Sequence, residues 1–161
     1  MLQLNVWAAF YGPKDVTELI LNKIQNNAIF FTITAGLCGD PWPGVKKILS
    51  IFYSYGAGAV FTDVYNENEI VNITFHPSIH SQMQISPMPG MLNIIGAVYG
   101  FKDIKLPLAH LVMKGLTQIS ANNQMFGDGF PGVKKILSVL YLNKAGTIVR
   151  KCVQESQVIS L

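Results

Sequence analysis

The hydrophobic and polar positions of this chain follow the two-residue period of β-strands in several short runs. Leu2–Phe10 and Met91–Tyr99 are apolar, alternate in part and end at Tyr-Gly, a common turn signal. Ala28–Thr34 is rich in β-branched and aromatic residues, which also favours a strand. Lys46–Tyr55 and Lys134–Leu142 are also predicted to be strands, and the first of them carries apolar residues on both faces. A strand of this kind is covered on both sides, so we expect Lys46–Tyr55 at the centre of a sheet.

Eight residues occur twice in the sequence, which identifies an internal repeat. Pro43–Ser50 returns letter for letter as Pro131–Ser138, at an offset of 88 residues. The same offset relates Asp15 to Asp103 without a gap. Any site in one copy is therefore expected to have a counterpart in the other.

The repeat defines the predicted domain organisation. Residues 1–73 and 90–161 are the two copies, and residues 74–89 link them. Three prolines in the linker predict an extended, semi-rigid connector. With about five strands in each copy, packing as an antiparallel β-sandwich is the natural way to bury them. The sequence therefore predicts an all-β fold of two tandem, pseudo-symmetric repeats.

The last strands of each copy predict how its sheet closes. We expect Val60–Tyr65 and Ile70–Phe75 to form a hairpin, and Thr147–Val153 and Gln157–Leu161 to form its counterpart. Nearer the start of each copy, the apolar spacing fits a short helix or an irregular crossing segment. Because the second copy has Pro107 there, we expect an extended or one-turn connection.

Composition limits the function classes. Half of the residues are apolar and only 13% are charged, against about 25% in an average soluble domain. The low charge points to extra buried surface, so we expect a homo-oligomer. No apolar run approaches the roughly 20 residues needed to span a bilayer, so no membrane span is predicted. The sequence lacks a clustered basic stripe with aromatics, which disfavours nucleic acid as a partner.

The net charge of +3 is unevenly distributed. Residues 1–73 have four lysines against six acids, a net charge of −2, whereas residues 90–161 have eight basic residues against three acids, a net charge of +5. The asymmetry fits electrostatic matching between the halves or between neighbouring chains. Drift after duplication is the alternative.

The N-terminus and the cysteines bear on location. No basic segment precedes an apolar one, so we expect no signal peptide and a cytoplasmic protein, with non-classical export left open. Cys38 and Cys152 do not occupy equivalent positions in the two copies. We expect both to be reduced thiols, because secreted disulfide scaffolds usually have more cysteines.

The best candidate site is the loop Gly-Asp-x-aromatic-Pro-Gly, which occurs once in each copy. A carboxylate accepts hydrogen bonds from sugar hydroxyls and an aromatic face stacks on a pyranose ring. Asp40 with Trp42, and Asp128 with Phe130, supply this pair twice. In the structural alternative, the aspartate caps the turn, the aromatic ring closes the end of the sandwich and Pro-Gly sets the backbone dihedrals.

Other polar residues have simpler explanations. Asp15 and Asp103 are expected to cap turns, with a contribution to a sugar pocket as the alternative. The pairs Lys46–Lys47 and Lys134–Lys135 are expected to be solvated starts of strands.

No known catalytic or metal-binding arrangement is present in the sequence. His76 and His80 are four residues apart, but they flank Pro-Ser in the linker and do not recur in the second copy. A zinc site needs three or four ligands, so no metal and no cofactor are predicted. No nucleophile with its base and no paired catalytic carboxylates are recognisable, so we expect a protein that is not an enzyme.

The order of these motifs resembles a known module. Its matching positions are Tyr11-Gly12, Asp15-Val16-Thr17, Gly39-Asp40-Pro41-Trp42-Pro43-Gly44-Val45-Lys46-Lys47-Ile48-Leu49, Tyr53 and Glu69-Ile70. They resemble the small β domain of unassigned function at the C-terminus of some DnaJ-like proteins, which is also appended to some bacterial glycoside hydrolases. The second copy departs from the pattern at Lys105 and Gly129. The resemblance implies a β fold and no catalytic residues, and its association with carbohydrate enzymes suggests sugar binding.

Together these patterns favour a non-catalytic binding protein. The leading interpretation is a bivalent, lectin-like glycan binder with one loop in each copy, because two linked sites raise avidity without new contacts. The alternative is a structural, self-assembling or protein-interaction protein with no small-molecule ligand. The partner is accordingly a glycan or another protein.

Overall fold

The computed structural model of the chain describes residues 2–80 and 87–161. The chain divides into two compact units, Met1–Ser86 and Pro87–Leu161, called the first and second unit below. Strands account for 42% and helices for 17% of the structure, and the strand pairings are antiparallel. The predicted all-β class is therefore confirmed at this coarse level.

Over residues 2–80, the first unit has seven strands in two sheets. Its elements are β1 (Leu4–Tyr11), β2 (Lys14–Asp15), α1 (Thr17–Leu21), β3 (Ile24–Gln25), β4 (Ala28–Thr32), α2 (Ala35–Cys38), β5 (Ile48–Tyr55), β6 (Phe61–Asn66), β7 (Ile70–Ile73) and α3 (Pro77–His80). A four-stranded sheet has the order β2-β1-β5-β6, and a three-stranded sheet has the order β3-β4-β7.

The second unit repeats most of this plan. Its elements are β8 (Asn93–Tyr99), β9 (Lys102–Asp103), α4 (Lys105–Met113), β10 (Gln118–Ser120), α5 (Asn123–Phe126), β11 (Ile136–Leu142), β12 (Ile148–Gln154) and β13 (Val158–Ser160). A four-stranded sheet has the order β12-β11-β8-β9, and β10 pairs with β13.

The core of the first unit contains residues from both of its sheets. Ala9 and Tyr11 of β1 and Leu49 and Ile51 of β5 pack in one buried cluster with Ile29 of β4. Side chains of a strand alternate between faces, so these β1 and β5 residues share one face of the larger sheet. The corresponding cluster of the second unit is built in the same way from β8, β11, β10 and β13.

The central strands agree with the sequence analysis. β5 lies between β1 and β6, and all eight of its residues are buried. β11 lies between β8 and β12, and all but its last residue are buried. The prediction that Lys46–Tyr55 contains a central strand covered on both faces is confirmed, and β11 has the same property in the second unit.

The predicted closing hairpins are wrong. β6 pairs with β5, whereas β7 crosses to the smaller sheet and pairs with β4. β12 and β13 separate in the same way, to β11 and β10. The physical reason is burial: Val71 and Ile73 of β7 enter the core next to Ile29, so their backbone finds its partner in β4.

The connection after the first strand also differs from expectation in one unit. α1 is a single turn of five residues, as expected, but α4 is a regular helix of nine residues. Pro107 is the third residue of α4, within the first turn, where a backbone N–H has no partner inside the helix. The proline therefore costs α4 no hydrogen bond, and the expectation drawn from it was wrong.

The predicted linker is partly folded. Its residues Pro77–His80 form the helical turn α3 and His80 is buried, so this part is not an extended connector. Residues 81–86 of the linker lie outside the described residues.

Candidate functional site

The Gly-Asp-x-aromatic-Pro-Gly loop of the first unit is built around a buried lysine. Only 5% of the Lys47 side chain is exposed, and its Nζ lies 2.8 Å from Asp40 Oδ1 and 3.8 Å from Glu67 Oε2. The same ammonium group donates hydrogen bonds to the carbonyl oxygens of Val45 at 2.9 Å and Trp42 at 3.5 Å. We call this arrangement the lysine node.

The second unit has a matching lysine node. Lys135 Nζ lies 3.0 Å from Asp128 Oδ1 and 3.5 Å from Glu155 Oε2. It donates hydrogen bonds to the carbonyl oxygens of Val133 at 3.0 Å and Phe130 at 3.4 Å. Five residues of one node thus have counterparts at the 88-residue offset, with equivalent contacts in both units.

The prediction of solvated lysine pairs is half wrong. Lys46 and Lys134 are exposed, but Lys47 and Lys135 are buried. Because a buried charge is stable only when it is paired and hydrogen-bonded, the two carboxylates and two carbonyls of each node explain its burial.

The Tyr-Gly turn packs against the stem of the same lysine. Gly12 has φ of +55°, and a Cβ atom there would lie 3.2 Å from Lys47 Cγ. Gly100 has φ of +60°, and its added Cβ would lie 3.2 Å from Lys135 Cγ. Both the positive φ and the close approach require glycine. The turn motif and the lysine pair, which are far apart in sequence, are therefore parts of one structure.

A second lysine in each unit fixes the start of the loop. Lys14 of β2 donates a hydrogen bond from Nζ to the Cys38 carbonyl at 2.8 Å. Lys102 of β9 makes the equivalent bond to the Phe126 carbonyl at 2.8 Å. The short β1–β2 and β8–β9 hairpins are thereby tied to the ends of α2 and α5.

The loop aspartates hold the turn and neutralise the lysine. Asp40 Oδ1 accepts a hydrogen bond from the Trp42 backbone N–H at 3.4 Å, and Asp128 Oδ1 accepts one from the Phe130 N–H at 3.2 Å. The hydrogen bond from Lys47 is the largest cause lowering the pKa of Asp40, and Lys135 has the same effect on the pKa of Asp128. The side chains of Asp40 and Asp128 are still 46% and 40% exposed.

The loop aromatics lie beside these carboxylates. Trp42 and Phe130 are each partly buried. The ring of Phe130 packs edge-on against Phe101, with the centroids 4.8 Å apart. The structure therefore brings each predicted aspartate and aromatic residue together in one loop, with the aspartate engaged by a lysine that sequence reasoning had placed in solvent.

Asp15 and Asp103 lie at the starts of helices. Asp15 Oδ1 accepts hydrogen bonds from the Thr17 N–H at 2.9 Å and the Thr17 hydroxyl at 2.6 Å, and that hydroxyl accepts from the Ala9 N–H at 2.9 Å. Asp103 Oδ1 accepts from the Lys105 N–H at 2.8 Å. These contacts are the ones expected of a turn-capping carboxylate.

The linker histidines serve packing. His80 Nδ1 accepts a hydrogen bond from the His76 backbone N–H at 2.8 Å, and the His80 ring lies 4.8 Å from that of Tyr55. Within residues 2–80 and 87–161, no group of three or more histidine, cysteine, aspartate or glutamate side chains is placed to hold a metal ion.

A separate surface of the first unit exposes two large apolar side chains. Phe30 of β4 is 71% exposed and Ile70 of β7 is 57% exposed. Phe30 pairs with Asn72 and Ile70 pairs with Thr32, so the two apolar side chains are diagonal neighbours on one face. We call this surface the β4–β7 face. In the second unit, the residue at the position of Phe30 is Gln118.

Sequence reasoning missed the lysine nodes and the β4–β7 face. A signal for the nodes was available, because Asp40, Lys47 and Glu67 all recur at the 88-residue offset. Charged residues retained in both copies of a sparsely charged chain point to a shared structural role. The exposure of Phe30 carried no such signal, since Phe30 lies between the apolar residues Ile29 and Phe31.

Comparisons with known proteins add no relatives. No protein-family model matches the chain, and searches of the curated proteins and of the solved structures returned no match. No helix in the described part of the chain is long and apolar enough to span a membrane.

Proposed function

We propose that this chain is a non-catalytic protein-interaction protein that associates with copies of itself through the β4–β7 face. The observation that carries the proposal is the exposure of Phe30 and Ile70 as diagonal neighbours on β4 and β7 of the three-stranded sheet. Exposed apolar patches mark interaction sites in soluble proteins, and aromatic residues are enriched in such interfaces. The low charged fraction of 13% also supports association.

The lysine nodes support this choice over small-molecule chemistry. Asp40 and Asp128 neutralise buried lysines and hold the backbone of their own loops. A carboxylate with these duties has less capacity to accept hydrogen bonds from a ligand. The repeated loop is thereby explained as a device that stabilises each copy of a duplicated β-sandwich unit, which we propose as the architecture of the chain.

The test replaces the β4–β7 face with its counterpart from the second unit. The double variant Phe30→Gln with Ile70→Val installs the residues found at Gln118 and Val158, which the same backbone plan already tolerates. We expect sedimentation velocity to give a mass above 17.7 kDa for the natural chain and close to 17.7 kDa for the variant. The control is Leu106→Gln, which removes another exposed apolar side chain, 79% exposed on α4. Equal masses for the natural chain and the double variant contradict the proposal.

Glycan binding at the two loops is the second candidate. It is favoured by carboxylates that remain 46% and 40% exposed beside partly buried aromatic rings, once in each unit. A glycan array with the natural chain, Trp42→Ala and Phe130→Ala tests it, with a melting curve for each variant. Binding lost in both variants at an unchanged melting temperature supports the candidate. A blank array for the natural chain rejects it for the glycans on the array.

A further inference from the structure

The second unit has an open groove at the end of β11 remote from the lysine node. Its volume is about 880 Å³, within the ~300–1,000 Å³ range of ligand sites. Among the described residues that line it, Lys144 is the only one with a charged side chain. The larger apolar side chains around it are Met91, Leu92, Val112, Met113, Tyr141 and Leu161.

The corresponding end of the first unit is filled by that unit's own rings. Tyr55, at the end of β5, is fully buried, and its hydroxyl donates a hydrogen bond to the Asn27 carbonyl at 3.1 Å. After β7 the chain turns back, so that the ring of Phe75 lies 5.1 Å and that of His80 4.8 Å from the Tyr55 ring. His80 also packs against Tyr53, with centroids 5.8 Å apart. We call Phe75–His80 the aromatic turn.

The groove of the second unit corresponds to this filled volume. At the 88-residue offset, Tyr53 corresponds to Tyr141, which lines the groove, and Tyr55 corresponds to Asn143. Asn143 is too short to fill the space, and its Oδ1 accepts the N–H groups of Ala145 at 3.0 Å and Thr147 at 2.9 Å within its own turn. Among the residues described as lining the groove, Tyr141 supplies the only ring.

We propose that the groove of the second unit binds an aromatic turn of a partner polypeptide, in the way that the first unit holds its own Phe75–His80. The occupant presents a phenylalanine and a second ring to Tyr141, and it is neutral or acidic because Lys144 lines the groove. Met91 and Met113, 45% and 75% exposed, give an adaptable apolar lining. This site is distinct from the β4–β7 face, and its test does not depend on self-association.

The probe is a synthetic peptide with this chain's own residues 72–80, Asn-Ile-Thr-Phe-His-Pro-Ser-Ile-His. It is titrated into the full chain carrying ¹³C-labelled methionine methyl groups. We expect saturable shifts of the Met91 and Met113 signals, with half-saturation at about 1 mM or below, and no shift of Met125. A peptide with alanine at the position of Phe75 is expected to give no saturation.

Two variants of the chain keep the test falsifiable. Met113→Glu introduces a charge at an exposed lining position and is expected to weaken peptide binding by about tenfold or more. Met125→Glu, on α5 and outside the groove lining, is expected to leave binding unchanged. Absence of Met91 and Met113 shifts overturns the proposal. It is also overturned if Met113→Glu binds the peptide as the natural chain does.

Discussion

At the residue scale, a pair of equivalent tyrosines differs in one hydrogen bond. The Tyr99 hydroxyl lies 3.0 Å from Asn123 Oδ1 at the start of α5, and it donates to that oxygen. The equivalent position in α2 is Ala35, and the buried Tyr11 hydroxyl has no hydrogen-bond partner of ordinary geometry among the described residues. Burial, and after it the Glu67 carboxylate, raises the pKa of Tyr11. The buried tyrosine hydroxyl is therefore hydrogen-bonded in the second unit, whereas the equivalent hydroxyl of the first unit has no such bond within residues 2–80 and 87–161.

This difference predicts opposite responses to one substitution. Tyr99→Phe should destabilise the chain by about 1 kcal/mol, because it removes a hydrogen bond and leaves Asn123 without a donor. Tyr11→Phe should change the free energy of unfolding by less than about 0.5 kcal/mol or increase it, because its hydroxyl makes no such bond. Urea denaturation of the two variants measures both. Equal losses of stability would contradict this reading of the Tyr11 environment.

The lysine nodes predict a contrast between adjacent lysines. Lys135→Ala removes the ammonium group that lies between Asp128 and Glu155. The two carboxylates and the two carbonyl oxygens that it contacts then lose their shared cationic donor. We expect the melting temperature to fall by about 5 °C or more. Lys134→Ala, at the exposed neighbour, should lower it by less than about 2 °C. Thermal melts followed by circular dichroism decide the matter, and similar melting temperatures for the two variants would count against a structural node.

The position of these lysines shows where sequence reasoning ends at this scale. Lys47 lies between polar Lys46 and apolar Ile48 at the start of a predicted strand. This local pattern has no periodicity that predicts whether the Lys47 side chain points into the core. The burial of Lys47 depends on Asp40 and Glu67, which reach it from other segments. By contrast, the capping contacts of Asp15 are local, and they were predictable because the acceptor and donor are two residues apart.

At the element scale, α3 depends on a buried imidazole. Burial of His80 lowers its pKa below the usual 6.5, the charge of His76 lowers it further, and Asp63 opposes the shift. Nδ1 must also be unprotonated to accept the His76 N–H. The folded state thus binds a proton less readily than the unfolded chain, so stability is fully present above pH 6.5 and declines as the pH falls below it.

A substitution isolates this contribution. His80→Phe keeps a ring in the cluster but cannot be protonated, so the loss of stability between about pH 6.5 and 5 should become smaller. The absolute stability at neutral pH also falls, since the His76 N–H loses its acceptor, and the readout is therefore the slope against pH. His110→Gln, at an exposed position on α4, is the control that should retain the natural slope. An unchanged slope in His80→Phe would refute the assignment.

The longer strands were predictable from the sequence, whereas the two-residue strands, β10 and the pairing of the strands were not. The central position of β5 followed from apolar residues on both faces, a property of the residues themselves. The pairing of β7 with β4 joins Ile70–Ile73 to Ala28–Thr32, two segments that are far apart in sequence. No turn motif connects them, so nothing in the sequence indicates that they pair. The length of α4 was not predicted because a simple rule treats proline as a helix breaker at any position. Proline is tolerated in the first turn, which is where Pro107 lies in α4.

At the scale of the whole molecule, the net charge is small enough that copies of the chain repel one another only weakly. A net charge of +3 on 161 residues is small, and it combines a negative first copy with a positive second copy. Self-association through the apolar β4–β7 face should therefore persist at high salt, because burial of apolar surface is not screened by ions. Contacts that depend mainly on the opposed charges of the two copies would weaken with salt.

The most direct test of self-association is the mass of the natural chain in solution. Sedimentation velocity over a hundredfold range of concentration, at low and at high salt, measures it without any substitution. Self-association through the β4–β7 face predicts a mass that rises above 17.7 kDa with concentration and does not fall when salt is added. A mass of 17.7 kDa at every concentration would contradict self-association through the β4–β7 face.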